Sequence, residues 1–448
     1  MANHSKRHQT SLDERIMEKL RWNNLEGIKV LVVNSGSSSI KYQLFAAGNF
    51  SVLASGIVER IGESGSQLHH RWRNPSGTFD ESISPLPVSN HREGFQHIVN
   101  VTSQTRVLRD ESELLGIGHR VVHGGEVFHE PALIDGTVLS AIRELIPLAP
   151  LHNAENLQGI EAALERYPHV PQVAVFDTAF HQSLPPYAFH YALPHDFYTA
   201  HHVRRYGFHG TSHHYVAKRA ATHLGKPLTE LNLITLHLGN GASATAIKTG
   251  KSIDTSMGLT PLEGLIMGTR CGDLDPAIPF YLGRRTGRSS EDLESLLNHQ
   301  SGLKGICDVN DMREILQLAG GGDRRAVLAV DMFCYRIKKY IGAYLAALGQ
   351  VDAIVFTGGI GENAASIRER CCHGLARLGI IMDDQKNARS SGRLSEIQAD
   401  GCPVKILVIP TDEELEIARQ TVQRIQTEPV ESCRKPSSRR HRPPETGK

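Results

Sequence analysis

The sequence lacks the long hydrophobic runs of membrane proteins and the cysteine spacings of disulfide or zinc frameworks. No apolar stretch approaches the ~18 residues that a membrane-spanning helix needs. The seven cysteines include no Cys-x-x-Cys pair, and an odd number with adjacent Cys371 and Cys372 does not suit a disulfide framework. We therefore expect reduced thiols, no structural zinc and no membrane partner.

An excess of charge of one sign is also missing. Lys and Arg number 49 against 48 Asp and Glu, so the formal net charge is +1. Such a balance creates no field that would attract a nucleic acid or a membrane surface. The N-terminus has no apolar stretch of the secretory kind, and Asp13, Glu14 and Glu18 argue against a transit peptide. We expect a cytoplasmic protein without a nucleic-acid partner.

The two ends of the chain differ in composition from the middle. In the N-terminal extension, residues 1–27, Ser11 and Glu14 resemble a capping box, which predicts a short helix on the surface. Residues 428–448 carry four prolines and a basic cluster, and this composition predicts a disordered basic tail. The 448 residues are 40% hydrophobic, which favours two or three soluble domains at ~150 residues each.

Between these ends, short apolar runs alternate with helical patterns, which predicts an α/β fold. Helical spacing is found over 153–166, 326–348, 363–378 and 412–426. The runs of strand length are 29–33, 172–176, 232–236, 353–357 and 405–409.

Two similar hairpins lie about 200 residues apart. The first is a strand, a turn of small residues at 34–39 and a second strand, and the segment 233–247 repeats this plan around Gly239, Asn240 and Gly241. Gly, Ser and Asn at a hairpin tip let backbone N–H groups face an anion. A chance likeness of two Gly/Ser hairpins is the alternative. The pair indicates a duplicated domain in which each half offers one phosphate-binding loop.

Two other glycine-rich segments give competing interpretations. Gly250-Lys251-Ser252 resembles the end of a P-loop, but Thr245 stands where that motif needs glycine. The segment 359–364 matches G-x-G-x-x-A, and Asp383 follows about 20 residues later, as in a dinucleotide site. Only one clear strand follows this loop. An NAD-dependent oxidoreductase therefore remains a distant alternative.

The middle of the chain is dense in Arg, His and Asp within short stretches punctuated by glycine. A single basic group of this kind is most often a structural ion pair, whereas several beside two phosphate-type loops indicate an anion site. His209 and His213 stand four residues apart without a His-Glu-x-x-His pattern, which disfavours zinc. The stretches are 118–126, 150–153, 176–181, 204–213 and 267–276.

Over residues 28–426 the sequence resembles the acetate kinase family. The matching motifs, which are specific as an ordered set, are Val33-Asn34-Ser-Gly-Ser-Ser-Ser39-Ile-Lys41, His119-Arg-Val-Val-His-Gly-Gly125, Val175-Phe-Asp177-Thr-Ala-Phe-His181, Arg205-Tyr-Gly-Phe-His209-Gly-Thr-Ser-His213, His237-Leu-Gly-Asn-Gly241, Met267-Gly-Thr-Arg270, Phe356-Thr-Gly-Gly-Ile-Gly-Glu-Asn363 and Pro410-Thr-Asp-Glu-Glu414. The chain departs from the family at Asp412, Cys271 and Ala154-Glu155, where Asn, Ser and a Pro-Ala pair are common.

The resemblance implies duplicated actin-like (ribonuclease H-like) ATPase domains with a nucleotide cleft between them, and a homodimer. We expect the N-terminal domain over 28–178, joined by the C-terminal helix 414–427, and the C-terminal domain over 179–413. The implied reaction is the reversible transfer of the ATP γ-phosphate to acetate, which gives acetyl phosphate and ADP. Propionate is the alternative acceptor, and a silent actin-like binding module is the non-enzymatic one.

The resemblance also implies roles for individual residues. Asp177, His209 and Arg270 are the expected catalytic residues, and Asn34 and Glu413 the residues associated with Mg²⁺, with Mn²⁺ as a substitute. Arg120 is expected to bind the acceptor carboxylate, beside an apolar pocket of Val122, Leu151 and Pro261. The expected ATP-binding residues are Lys41, His237, Leu238, Gly239, Asn240, Gly241, Asp311, Met312, Arg313, Gly359, Ile360, Gly361, Glu362 and Asn363.

These residue types suit the reaction because a carboxylate and a phosphate repel each other. Arginine pairs bidentately with either anion, so it reduces the repulsion and aligns the atoms, and phosphoryl transfer needs little else. A small carboxylic acid is already ionised at pH 7, since carboxyl pKa values lie near ~4. We therefore expect Asp177 to hold magnesium through water or to orient Arg120 or Arg270, not to act as a base.

Overall fold

The computed structural model of the chain describes residues 25–149, 152–390 and 392–427. Three of the predictions made from the sequence lie outside these residues. They are the helix that begins near Ser11, the pocket residue Leu151 and the basic tail 428–448.

The first part of the described chain forms one sheet with its helices. Its elements are β1 (Lys29–Ser35), β2 (Ser39–Ala46), β3 (Val52–Glu59), β4 (Gln67–Arg73), β5 (Phe79–Pro85), α1 (His91–Gln104), β6 (Leu114–Val121), β7 (Ala132–Leu133), α2 (Gly136–Glu144), α3 (Asn153–Arg166) and β8 (Gln172–Phe176).

The second part forms another sheet, and its helices are more numerous. Its elements are α4 (Pro186–Phe189), α5 (Asp196–His201), α6 (Gly210–Leu224), β9 (Asn232–Leu238), β10 (Ala242–Lys248), β11 (Lys251–Thr255), α7 (Ala277–Thr286), α8 (Ser290–His299), α9 (Gly302–Cys307), α10 (Met312–Gly320), α11 (Arg324–Leu348), β12 (Ala353–Thr357), α12 (Gly358–Asn363), α13 (Ala365–Cys372), α14 (Asp384–Arg389), β13 (Ser395–Glu396), β14 (Lys405–Val408) and α15 (Glu413–Thr427).

The two sheets repeat one topology. The first has the order β5-β4-β3-β2-β1-β6-β8-β7 and the second β11-β10-β9-β12-β14-β13. In each, an antiparallel meander is extended on its first strand by two parallel strands, β6 and β8 or β12 and β14. The meander has five strands in the first sheet and three in the second. This repeat confirms the predicted α/β fold with a duplicated actin-like architecture.

The hairpins that suggested the duplication open both sheets at equivalent places. Ser35 pairs with Ile40 in the first hairpin and Leu238 with Ala242 in the second, so four residues form the first tip and three form the second. The tips are 36–39 and 239–241. The first is built from glycine and serine and the second from glycine and asparagine. The N–H groups of Gly36 and Gly239 bond within their own tips, and such tips can present their other backbone N–H groups to a ligand.

Burial explains which strands were easy to predict. Every residue of β8 and of β12 is buried, as expected of parallel strands that are covered by helices on both faces.

The predicted helix 363–378 is wrong in extent, because α12 ends at Asn363 and α13 covers only Ala365–Cys372. His373 at its C-cap is extended, and Gly374 follows with φ +81°. A helix cannot continue through these two conformations.

The C-terminal helix α15 returns to the first sheet. Its residues Ile417 and Val422 pack in one apolar cluster with Val30 and Val32 of β1. On β6, a Cβ at Gly118 would overlap Thr421 of this helix. Glycine there lets α15 lie close to the strand, which brings the first residue of the helix, Glu413, to the carboxyl end of β6. No helix in the described ranges is long and apolar enough to cross a membrane.

Candidate active site

The carboxyl ends of β6 and β8 bring the first two functional side chains together. The two strands are parallel neighbours, and the N–H of Asp177 donates to the carbonyl of Val121 at 3.0 Å. Arg120 Nε and Nη2 both donate to Asp177 Oδ2, at 3.0 and 2.6 Å. The Asp177 side chain is 1% exposed and that of Arg120 22%. Asp177 therefore holds one edge of a guanidinium whose other N–H groups remain open to a ligand.

Glu413 adds a second carboxylate to the same place. Its Oε2 atom lies 4.0 Å from Arg120 Nε, and its side chain is 18% exposed. Burial raises the pKa of Glu413 to about 7, with Asp177 and Glu414 acting in the same direction and Arg120 and Lys41 opposing them. A carboxylate in such surroundings is stabilised by an added cation.

Asn34 and Lys41 lie on the first hairpin, at the adjoining sheet edge. They are cross-strand partners in the β1–β2 register. Val33, the residue before Asn34, pairs with His119 of β6. The structure thus brings Asn34 to the strand end that carries Arg120, and Lys41 contributes to the electrostatic surroundings of Glu413.

His209 stands at the start of α6 in a left-handed conformation, with φ +56°. The next N–H, of Gly210, donates to the carbonyl of Asp177 at 2.9 Å, which ties α6 to the end of β8. The imidazole stacks on His237, with ring centroids 4.3 Å apart. Burial holds the pKa of His209 well below its usual value, and the neighbouring histidines and arginines add to this effect. These surroundings therefore favour the neutral form of His209 over the cation near pH 7.

Arg270 approaches the same point from the loop after β11. Its Nη1 atom donates to the carbonyl of Pro261 at 3.3 Å, and within the described ranges it forms no ion pair with a carboxylate. A Cβ placed on Gly241 would lie 3.4 Å from His209 Nε2 and 3.8 Å from Arg270 Nη1. Both side chains therefore face the tip of the second hairpin. An unpaired guanidinium beside an imidazole and a glycine-rich tip is suited to bind phosphate.

A cavity of about 580 Å³ opens next to this tip. It brings together the three predicted nucleotide segments, 239–240, 311–313 and 359–363. Its lining residues are Gly239, Asn240, Asn310, Asp311, Met312, Arg313, Leu316, Gly359, Ile360, Asn363 and Ala364. Asn310 and Leu316 were not predicted, although both flank a predicted segment on α10 or its cap.

Several predicted nucleotide residues support the cavity from outside. Glu362 Oε1 accepts from the N–H groups of Gly358 at 2.9 Å and Thr411 at 3.1 Å, so its carboxylate fastens the loop. His237 hydrogen-bonds through Nδ1 to the Ser212 hydroxyl at 2.8 Å. Leu238 is fully buried in the core, and Gly361 is buried beneath the loop.

The apolar side of the site contains one predicted and one unpredicted residue. Val122 is 8% exposed and belongs to the same apolar cluster as Phe208, the neighbour of His209 in sequence. Pro261 contributes the carbonyl that binds Arg270. The sequence offered no signal for Phe208 beyond its place inside a matching motif.

His152 is a second residue that sequence reasoning missed as a member of the site. Burial lowers the pKa of His152 to about 4, and the charges of Arg270 and Arg120 add to the shift while Asp177 opposes it. This imidazole therefore lies close enough to both arginines for their charges to lower its pKa. Its presence in one of the Arg/His-dense stretches was the available signal.

Another cavity, of about 780 Å³, lies beside this site and not at its charged groups. It is lined by parts of β8, α6, the β10–β11 turn and α15, and of these only Gly210 and Thr211 adjoin the site. None of the predicted site residues lines it. The convergence of charged groups, not cavity size, identifies the candidate site.

Comparisons with known proteins agree with this geometry. The acetokinase family pattern matches residues 29–419. An acetate kinase from Syntrophobacter fumaroxidans is 61% identical over 89% of this chain and 97% of its own. Among solved structures, Porphyromonas gingivalis acetate kinase has a TM-score of 0.83 at 43% identity, over 88% of this chain and 99% of that one. A propionate kinase from Francisella tularensis has a TM-score of 0.82 at 42% identity, over 88% and 98%.

Proposed function

The chain belongs to the acetokinase family, and we propose that it reversibly transfers the ATP γ-phosphate to acetate, forming acetyl phosphate and ADP. The observation that carries the proposal is the convergence of His209 Nε2 and Arg270 Nη1 on Gly241, beside the nucleotide cavity. Arg120, held by Asp177, stands on the neighbouring strand end as the carboxylate-binding group.

The mechanism follows from charge and position. An oxygen of the acetate carboxylate attacks the γ-phosphorus in line, that bond forms, and the bond from the γ-phosphorus to the bridging oxygen breaks with its electrons on ADP. Arg120 binds the carboxylate, and Arg270 and His209 donate to the transferring group, so two repelling anions meet. Asp177 orients Arg120. The ionised acetate needs no base.

Asn34 and Glu413 fit a magnesium ion, with manganese as a substitute. Burial raises the pKa of Glu413, so a bound cation would stabilise the charged form of this carboxylate. Oxygen atoms are the ligands that Mg²⁺ prefers. Within the described ranges no three His, Cys, Asp or Glu side chains gather as a closed metal site. This agrees with Mg²⁺ that keeps water and phosphate oxygens as further ligands. Bound magnesium would neutralise charge on the phosphates.

Acetate is the proposed acceptor because similar proteins at 61% and 52% identity are acetate kinases. Propionate is the second candidate, since a structural neighbour at 42% identity is a propionate kinase. An apolar pocket separates acids that differ by one methylene by only about 1–3 kcal/mol. Some activity on propionate is therefore part of the proposal.

We extend the proposal to organisation. The two sheets support domains over 28–178 and 179–413, with helix 414–427 joining the first. A cytoplasmic location agrees with the described cysteines, which form no disulfide among themselves. A homodimer is supported by aromatic side chains on α7 and α11 that are more than half exposed, namely Phe280, Tyr281 and Tyr335. Such side chains are enriched at protein interfaces.

A hydroxamate assay for acyl phosphate, with ATP, magnesium and each of acetate, propionate and butyrate, tests the function. We expect the signal to be strongest with acetate and weakest with butyrate. A parallel calorimetric titration with ADP–magnesium and with NAD separates the proposal from an oxidoreductase. Binding of NAD but not ADP, with no hydroxamate formed, would overturn it.

A further inference from the structure

A chain of buried hydrogen bonds extends from His209 into the core. His209 Nδ1 lies 2.9 Å from Ser243 Oγ, and the same hydroxyl lies 2.8 Å from His213 Nε2. His213 Nδ1 in turn lies 2.7 Å from Thr235 Oγ1. Ser243, His213 and Thr235 are each 0% exposed. Ser243 therefore stands between the fully buried imidazole of His213 and the partly exposed imidazole of His209.

This chain can run in one of two directions. Ser243 has a single hydroxyl proton, so it donates to one imidazole and accepts from the other. In the outward direction, Thr235 donates to His213 Nδ1, His213 Nε2–H donates to Ser243, and Ser243 donates to His209 Nδ1. In the inward direction every bond reverses, and the Thr235 hydroxyl proton then has no acceptor among the hydrogen bonds of the described residues.

The outward direction is favoured because it leaves no buried donor unmatched. Both imidazoles are neutral, since burial holds the pKa of His209 and of His213 well below the usual value. A neutral imidazole carries one N–H. The direction of the chain therefore decides which nitrogen of His209 bears that proton.

We propose that Ser243 is a positioning residue that holds His209 in the tautomer with its proton on Nε2, and that His213 and Thr235 fix the direction of the Ser243 hydroxyl. The inference rests on the proposed function for its purpose, because His209 Nε2 faces the tip at Gly241 where the phosphate would lie. In this tautomer Nε2–H donates to the transferring group. In the other tautomer a lone pair would face an anion and repel it.

The tautomer can be measured without any activity. Histidine labelled with ¹⁵N shows by NMR which ring nitrogen carries the proton, and the signals of His209 are identified by their loss in His209→Gln. In the unmutated protein we expect a protonated Nε2 and an unprotonated Nδ1 that accepts a hydrogen bond. A spectrum with the proton on Nδ1 overturns the proposal, whatever the substrate proves to be.

Kinetics of Ser243→Ala provide the second readout. We expect kcat to fall by about 10²-fold, the usual loss for one donor to a developing anion, with little change in the KM of acetate or ATP. Thr245→Val is the matched control, because Thr245 lies two residues further on the same strand and is equally buried. Among the described residues its hydroxyl bonds to the Thr255 hydroxyl, at 2.9 Å. The control should keep kcat.

Substitutions of Thr235 distinguish an effect on the His209 tautomer from an effect on core packing. They also test the proposal if Ser243→Ala does not fold. Thr235→Val keeps the shape of the side chain and removes the hydroxyl, so we expect mixed tautomers at His209 and a lower kcat. Thr235→Ser restores the hydroxyl and should restore both. Unchanged His209 spectra and unchanged kcat in Thr235→Val would contradict the inference.

Discussion

The Asp177→Asn substitution removes the charge that holds Arg120 at the site. Arg120 donates two hydrogen bonds to Asp177 Oδ2, at 3.0 and 2.6 Å, and a bond to a charged group contributes about 1.5–3 kcal/mol. The amide oxygen of the variant can accept one weaker hydrogen bond from Arg120, and the second hydrogen bond and the charge attraction are lost. A loss of about 3 kcal/mol in the positioning of Arg120 corresponds to roughly 10²-fold in kcat/KM for acetate. Since the proposed role of Arg120 is to bind the acceptor, the KM of ATP should change little.

The assay is acyl phosphate formation as a function of acetate concentration, repeated across pH. If Asp177 orients Arg120, the variant keeps the shape of the parent pH profile at a lower level. If Asp177 were a base, the parent would show an acidic limb that the variant lacks. Thr211→Val is the matched control, since the Thr211 hydroxyl donates to the other oxygen of Asp177 at 3.2 Å, and we expect its loss to stay below about tenfold. An unchanged KM for acetate together with an altered pH profile would refute the reasoning.

Two further predictions concern stability and the nucleotide loop. Burial lowers the pKa of His119, His123 and His181 to about 4 each. In the unfolded chain the pKa of histidine is near ~6.5. The free energy of unfolding therefore has its full value above that pH, and it falls by about 2 kcal/mol per histidine by pH 5. Denaturant unfolding at pH 7.5 and 5 measures this, and equal stability at both would contradict it. Glu362→Ala leaves the N–H groups of Gly358 and Thr411 without their acceptor. We therefore expect calorimetry to show that the affinity for ADP falls by a factor of about ten or more. Glu362→Gln retains an acceptor oxygen and should bind ADP nearly as the parent does.

The fold was predictable where local pattern and burial agree. The mainly apolar runs of β8 and β12 favoured buried strands, and the two Gly/Ser hairpins indicated the duplication that the sheet orders confirm. The predicted helix 363–378 failed because its apolar spacing continues across Ala364 and Gly374, while the backbone conformations there end one helix and stop the next.

The site was predictable only in part, because motifs identify residue types and not their contacts. Arg120 and Asp177 follow from the parallel neighbours β6 and β8, whose carboxyl ends must adjoin. Ser243 could not be found in this way, since its partners His209 and His213 lie at the start of helix α6 and not on a neighbouring strand. Only the register of β9 with β10 and the direction of α6 bring these groups together.

The most direct test of the account is acetyl phosphate formation by Arg270→Ala beside the parent. Arg270 forms no ion pair within the described ranges, so the substitution leaves no buried carboxylate uncompensated, and a folded protein is expected. The control is Arg143→Ala, which removes an exposed arginine paired with Glu161 at 2.9 Å. We predict that Arg270→Ala lowers kcat by about 10²–10³-fold and that Arg143→Ala leaves it unchanged. Equal rates for all three proteins would contradict the claim that this guanidinium stabilises the transferring phosphate.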